Sequence, residues 1–163
     1  MYNQNIVGQS LIKEQLKKML VKKAYPQSQL FIDSAGYGGL SLAINSGLNL
    51  VYGLEKIEQH EKKGVPISTL INHPDLHFVY PSIINSKIKD KSENIDLSSS
   101  LKEFLIASPY GEIYDWLKFL DSGKKQGVIT VAEVHKIHQK MNLTSHSGRN
   151  KVLILWGAEK LNL

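Results

Sequence analysis

Gln29-Leu30-Phe31-Ile32-Asp33 runs directly into Ser34-Ala35-Gly36-Tyr37-Gly38-Gly39-Leu40-Ser41, and then into the helical stretch opening Leu42-Ala43-Ile44. The first five residues read as a short buried strand. Strand, glycine-rich loop and helix in that order form the setting of the phosphate-binding pattern G-x-x-x-x-G-K-[ST]. The spacing matches with two departures: Ser34 stands where the first glycine belongs, and Leu40 stands where the lysine belongs. Such a loop works because successive backbone N–H groups point into a concavity at a helix N-terminus. Gly36, Gly38, Gly39 and Ser41 preserve that cradle. Leu40 removes its charge, and a charge-assisted hydrogen bond of roughly 1.5–3 kcal/mol corresponds to about 10- to 150-fold in binding. ATP and magnesium binding is therefore expected to be weak or absent. The plainer reading of residues 34–41 is a glycine-rich turn with no ligand.

Far along the chain, Lys151-Val152-Leu153-Ile154-Leu155 reads as a second buried strand. A working phosphate-loop enzyme follows such a strand with acids that hold magnesium and activate water. Trp156 and Gly157 occupy those places here. No catalytic residue is assigned, and the isolated chain is not expected to hydrolyse ATP. Trp156 equally suits an apolar extension of a buried strand.

Several further segments carry a resemblance. Asn5-Ile6-Val7-Gly8-Gln9-Ser10 precedes an amphipathic helix, and His73-Pro74-Asp75-Leu76-His77-Phe78-Val79-Tyr80-Pro81 reads as a strand with its entry turn. Ile129-Thr130-Val131-Ala132-Glu133-Val134-His135-Lys136-Ile137 opens a helix, and the last strand continues as Gly157-Ala158-Glu159-Lys160-Leu161-Asn162. In this order the segments resemble the AAA+ clamp-loader subunits of bacterial DNA polymerase III, in the form whose nucleotide site does not hydrolyse. The resemblance implies a P-loop NTPase-like domain over residues 1–163, with Ser34 to Ser41 as a vestigial P-loop and Trp156 and Gly157 as a vestigial Walker B end. It implies partners as well: clamp-loader subunits of the gamma/tau and delta types, and through them the sliding clamp and primed DNA. Part of a DNA polymerase holoenzyme, the chain would hold its place in a ring rather than turn over ATP. The family's four-cysteine zinc module has no counterpart, because the chain contains no cysteine. Its place, about residues 52–72, is a charged stretch. The sensor strand, lid and collar domains would lie beyond Leu163, which implies a partial domain, truncated before the sensor strand, with unpaired sheet edges.

Composition sets wider bounds. A chain of 163 residues with 42% apolar content supports one domain with a real core. No apolar run is long enough to span a bilayer, and the opening Met-Tyr-Asn-Gln-Asn is no signal peptide. No membrane partner is expected, and the cytoplasm is the default location. A net charge of +5 mildly favours an acidic partner. Without cysteine, no disulfide or thiolate metal site can form.

Hydrophobic spacing predicts a helix after Ser10, its N-cap, and one helix over residues 40–63, kinked at Gly47 or Gly53. Further helices are predicted over 99–107, 114–120 and 131–142, the last turning Val134, Ile137 and Met141 inward. Residues 86–98 read as a polar loop and 124–127 as a turn. Helices alternating with three strands predict an α/β domain with a parallel sheet. The histidine pairs His73/His77 and His135/His138 have metal-like spacing, but Pro74 makes the first a poor helix and the second has no third ligand nearby in sequence, so no metal is expected. Ser41, His135 and Asp115 lack the elbow a hydrolase needs. Tyr80, Tyr110, Tyr114, Trp116 and Phe119 suit packing better than base stacking. Glu133 and Arg149 read as surface charges. Two rival functions remain open: a divergent NTPase completed by a partner, and a phosphate- or nucleic-acid-binding module.

Overall fold

Strands β1 (Leu76–Val79) and β2 (Val152–Leu155) pair in parallel, Leu76 opposite Val152 and Val79 opposite Leu155. The computed structural model describes residues 6–83, 97–120 and 126–161. Seven helices surround the strands in the described residues: α1 (Ser10–Val21), α2 (Gly39–Tyr52), α3 (Leu54–Lys62), α4 (Ile67–Leu70), α5 (Leu97–Ala107), α6 (Ile113–Phe119) and α7 (Val131–Asn142). The class is mixed α/β. None of these helices is long and apolar enough to cross a membrane. The predicted loop at 86–98 and the turn at 124–127 lie largely outside the described residues.

Helix α2 organises the core. Its Ile44, Leu48 and Val51 are buried with Leu76 and Ile154 of the sheet and with Leu101, Phe104 and Trp116 from α5 and α6. Gly47 sets how closely α2 meets the sheet. A Cβ on it would lie 3.1 Å from Leu76 Cδ1, 3.3 Å from Ile154 Cδ1 and 3.4 Å from Val152 Cγ1. Gly47→Leu is therefore expected to overpack this layer and lower stability by about 1–3 kcal/mol. A urea midpoint checks it; an unchanged midpoint would reject the close packing. A smaller cluster of Ile6, Leu16 and Leu42, with Tyr25 and Phe31 against it, joins α1 to the start of α2.

Four predictions change. Residues 29–33 form no strand. A strand exists only by its ladder, and no described segment pairs with them; Phe31 packs inward while Leu30 and Ile32 stand exposed. The sheet has two described strands, not three. The single helix over 40–63 is two, because Gly53 adopts φ 85°, ψ 152° and ends α2. Ser10 is not the N-cap of α1; Gln9 holds that position in the left-handed region with no side-chain cap.

Helix α7 has the predicted bounds, started by a capping box. Glu133 N donates to Thr130 Oγ1 (3.3 Å), and Thr130 N donates to Glu133 Oε2 (2.8 Å). Ser82 Oγ also donates to Glu133 Oε1, so this carboxylate is structural rather than a free surface charge. No residue of α7 is fully buried; Ile137 and Met141 are half-buried, and Val134 is exposed. Arg149 is likewise engaged, its guanidinium lying against Gly53 at the C-terminal end of α2, where a cation is favoured by the helix dipole.

Candidate functional site

The glycine-rich loop ends where α2 begins, and an anion already sits there. Gly39 N donates to Asp33 Oδ2 (2.5 Å), and a Cβ on Gly39 would lie 2.6 Å from both Asp33 Cγ and Oδ2. Gly36 and Gly38 hold φ at 76° and 84°, the left-handed geometry that glycine tolerates. The loop thus keeps its turn, but its leading N–H is taken by the chain's own carboxylate. A negative charge at this end of a helix is stabilised by roughly 0.3–1 kcal/mol. A phosphate entering the cradle has to displace that carboxylate or meet it as a like charge.

The other loop positions are also committed. Ser41 is buried, and its hydroxyl donates to the Pro109 carbonyl. Leu40 packs against the main core. Ser34 is exposed, its carbonyl accepting from Tyr37 N (3.1 Å). Over Gly38 lies the Tyr110 ring, whose Cε1 would stand 2.8 Å from a Cβ there. The Tyr110 hydroxyl accepts from Val7 N (2.5 Å), which ties residues 6–8 to the same corner.

At the end of β2, Trp156 N donates to Val79 O (2.8 Å), and its ring stacks on Phe104 at 6.0 Å. Gly157 has φ 75°, and a Cβ there would meet Ile113 Cδ1 at 2.5 Å and Pro81 Cγ at 3.1 Å. An acid at this position would be both strained and crowded. One stretch, residues 104–113, therefore covers both the glycine-rich loop and the end of β2. Pro109 and Tyr110 cover the loop, and Phe104 and Ile113 cover the strand end.

The remaining candidates separate. Ser41 and Asp115 have other partners, Asp115 accepting from Glu112 N at the start of α6 (3.0 Å), and neither bonds to His135. His135 and His138 are exposed on α7. His73 and His77 line one cleft with Lys102 and Lys140. No group of three His, Asp or Glu side chains gathers among the described residues as a metal ion would require. Tyr80, Trp116 and Phe119 belong to one aromatic cluster with Phe104, whereas Tyr114 faces solvent.

Sequence reading passed over two residues. Asp33 reads along the chain as the end of a strand, yet six positions before Gly39 it serves as an internal cap of α2. Asp75 reads along the chain as part of a strand entrance, with no sign of its partners. It is buried and accepts from Ser145 Oγ (3.1 Å), His146 N (2.8 Å), Ser147 N (2.9 Å) and Ser147 Oγ (2.7 Å). Its partners lie some 70 positions away, beyond the reach of any local pattern.

Comparison with known proteins finds no match: no family model, no curated protein and no solved structure is similar to the chain.

Proposed function

We propose that the chain is a P-loop NTPase-like AAA+ domain serving as a non-hydrolysing, delta-prime-type subunit of the clamp loader of bacterial DNA polymerase III. In this role it would stand beside gamma/tau and delta-type subunits and help place the sliding clamp on primed DNA. Its vestigial nucleotide site would serve packing. The observation that carries the reading is Asp33, whose carboxylate holds the first N–H of α2 in the place a nucleotide phosphate would need. The order of glycine-rich loop, long buried helix and two parallel strands supports it, as do Trp156 and Gly157 where metal-binding acids would stand. The same features argue against a divergent NTPase, since a partner's lysine would still face the Asp33 carboxylate.

Two experiments test this. Calorimetric titration with Mg-ATP is expected to give no binding for the native chain. It should give measurable binding for Asp33→Asn combined with Leu40→Lys, an added charge-assisted bond being worth about 10- to 150-fold. Because Leu40 is packed against the core, Asp33→Asn alone is the control that leaves that packing intact. Tight Mg-ATP binding by the native chain would overturn the vacated-site reading. Gel filtration with purified gamma/tau and delta subunits tests the ring role directly, and failure to co-elute would reject it.

A further inference from the structure

A second, unrelated cleft lies at the outer edge of β1, between the end of α4, α5 and α7. It has a volume of about 290 Å³ and is walled by Asn72, His73, His77, Phe78, Lys102 and Lys140 among others. Three features distinguish it from a surface dimple. Its lining residues include two lysines and no carboxylate, and neither Lys102 nor Lys140 has an ion pair among the described residues. The His77 Nε2 atom is buried with no hydrogen-bond partner among the described residues, a costly state for a polar group. Finally, no described segment pairs with the outer edge of β1. Val152 N donates to Asp75 O and Trp156 N to Val79 O, so the odd-numbered carbonyls of β1 face β2. In a parallel ladder this turns the amide of Phe78 the other way, toward the cleft.

We propose that this cleft binds a small oxyanion, a phosphate or carboxylate group on a metabolite-sized molecule, held between Lys102, Lys140 and the His77 imidazole. The ligand would supply the acceptor and the counter-charge that no described residue gives Nε2 and the two lysines. Burial foremost, with the charges of Lys140 and Lys151, holds the His77 proton affinity below its ordinary value. The ring thus stays neutral near pH 7 and can donate from Nε2 without carrying a charge of its own. The volume lies at the low end of ligand pockets, which span roughly 300–1,000 Å³, and so favours a small molecule over a polymer. Lys151 Nζ donates to the carbonyl of Lys140 (2.9 Å), which fixes the last turn of α7 and with it the cationic wall.

The test follows the imidazole nitrogens of the full chain by ¹H–¹⁵N correlation while titrating inorganic phosphate, glycerol 3-phosphate and succinate separately. The His77 signals are expected to move saturably with at least one probe, while those of His135 and His138 stay fixed. Response to both phosphates but not to succinate assigns a phosphate ligand, and the reverse assigns a carboxylate. Lys102→Gln with Lys140→Gln should weaken binding about 10-fold or more, whereas Lys140→Arg should retain it. No saturable His77 shift with any probe would overturn the proposal, as would an affinity unchanged in the double variant.

Discussion

Replacing Trp116 by Ala is expected to destabilise the protein by about 3–5 kcal/mol, the range for removing a fully enclosed large aromatic. Trp116 has no exposed surface and sits where α5, α6 and the residues after β1 converge. Its ring meets Phe104 at 5.5 Å and Tyr80 at 5.3 Å, both edge-on, and stacks beside Phe119 at 6.1 Å. Its Nε1 donates to the Pro81 carbonyl (2.8 Å), so truncation opens a cavity and also strands a buried acceptor. For a chain of this size, a loss of that magnitude lowers the thermal midpoint by about 6–20 °C. Circular dichroism melting measures it. Trp116→Phe separates the two contributions: it keeps most of the volume and loses the donor, so its loss should be about 1–3 kcal/mol. A Trp116→Ala midpoint within a degree or two of the native one would mean that α6 is not part of the core.

What could be read along the chain depended on whether the cause was local. The capping box of Thr130 and Glu133 lies within four residues, and α7 begins and ends where hydrophobic spacing puts it. The apolar run Val152-Leu153-Ile154-Leu155 is likewise the strand it resembles. Residues 29–33 have an equally strand-like composition and pair with nothing described, because a ladder depends on a neighbour that no local pattern can supply. Of the two candidate breaks in the long helical stretch, Gly53 is the one that leaves helical geometry, at φ 85°, with the guanidinium of Arg149, nearly a hundred positions away, lying against it. Composition could not separate it from Gly47, which stays helical because its missing side chain admits the sheet.

The candidate site divides in the same way. The absence of lysine at 40 and of acids at 156 and 157 is visible in the sequence and concerns chemistry. Packing decides whether the glycine-rich loop stands open to a ligand, and here it does not. The Asp33 carboxylate, the Tyr110 ring and the Pro109 carbonyl occupy its donors and its mouth. A lysine placed at position 40 alone would therefore supply charge but not access, because the Asp33 carboxylate would still hold the Gly39 N–H.

Asp75→Ala is expected to cost about 3 kcal/mol or more, since hydrogen bonds to a charged group contribute roughly 1.5–3 kcal/mol each and do not add fully. Asp75 stands immediately before β1, and its own carbonyl accepts from Val152 N at the start of β2 (2.8 Å). Its side chain meanwhile gathers residues 145–147 of the connection leading to that strand. Removing it leaves two backbone N–H groups and two hydroxyls without their acceptor, at the place where the register of the parallel pair is set. The same group predicts a pH dependence. Burial alone would raise its proton affinity, but donation from the Ser147 hydroxyl, the His146 and Ser147 amides and the Ser145 hydroxyl outweighs burial and holds the carboxyl well below the usual carboxylate range. A depressed folded value means that the stabilisation is complete above the unfolded value of about 3.9 and is lost as pH falls through the folded one. His73 and His77 act earlier. Burial is the largest cause for each and keeps both below their ordinary value despite the attraction of Asp75, so the unfolded chain takes up protons first below about pH 6.5. Urea midpoints across an acid series should therefore fall in two stages, one below about 6.5 and a steeper one below about 4. Asp75→Asn should abolish the second stage, while the first persists and deepens, because both imidazoles lose the attraction of Asp75. A variant that keeps the native acid slope would show that the 145–147 clamp does not depend on the Asp75 charge.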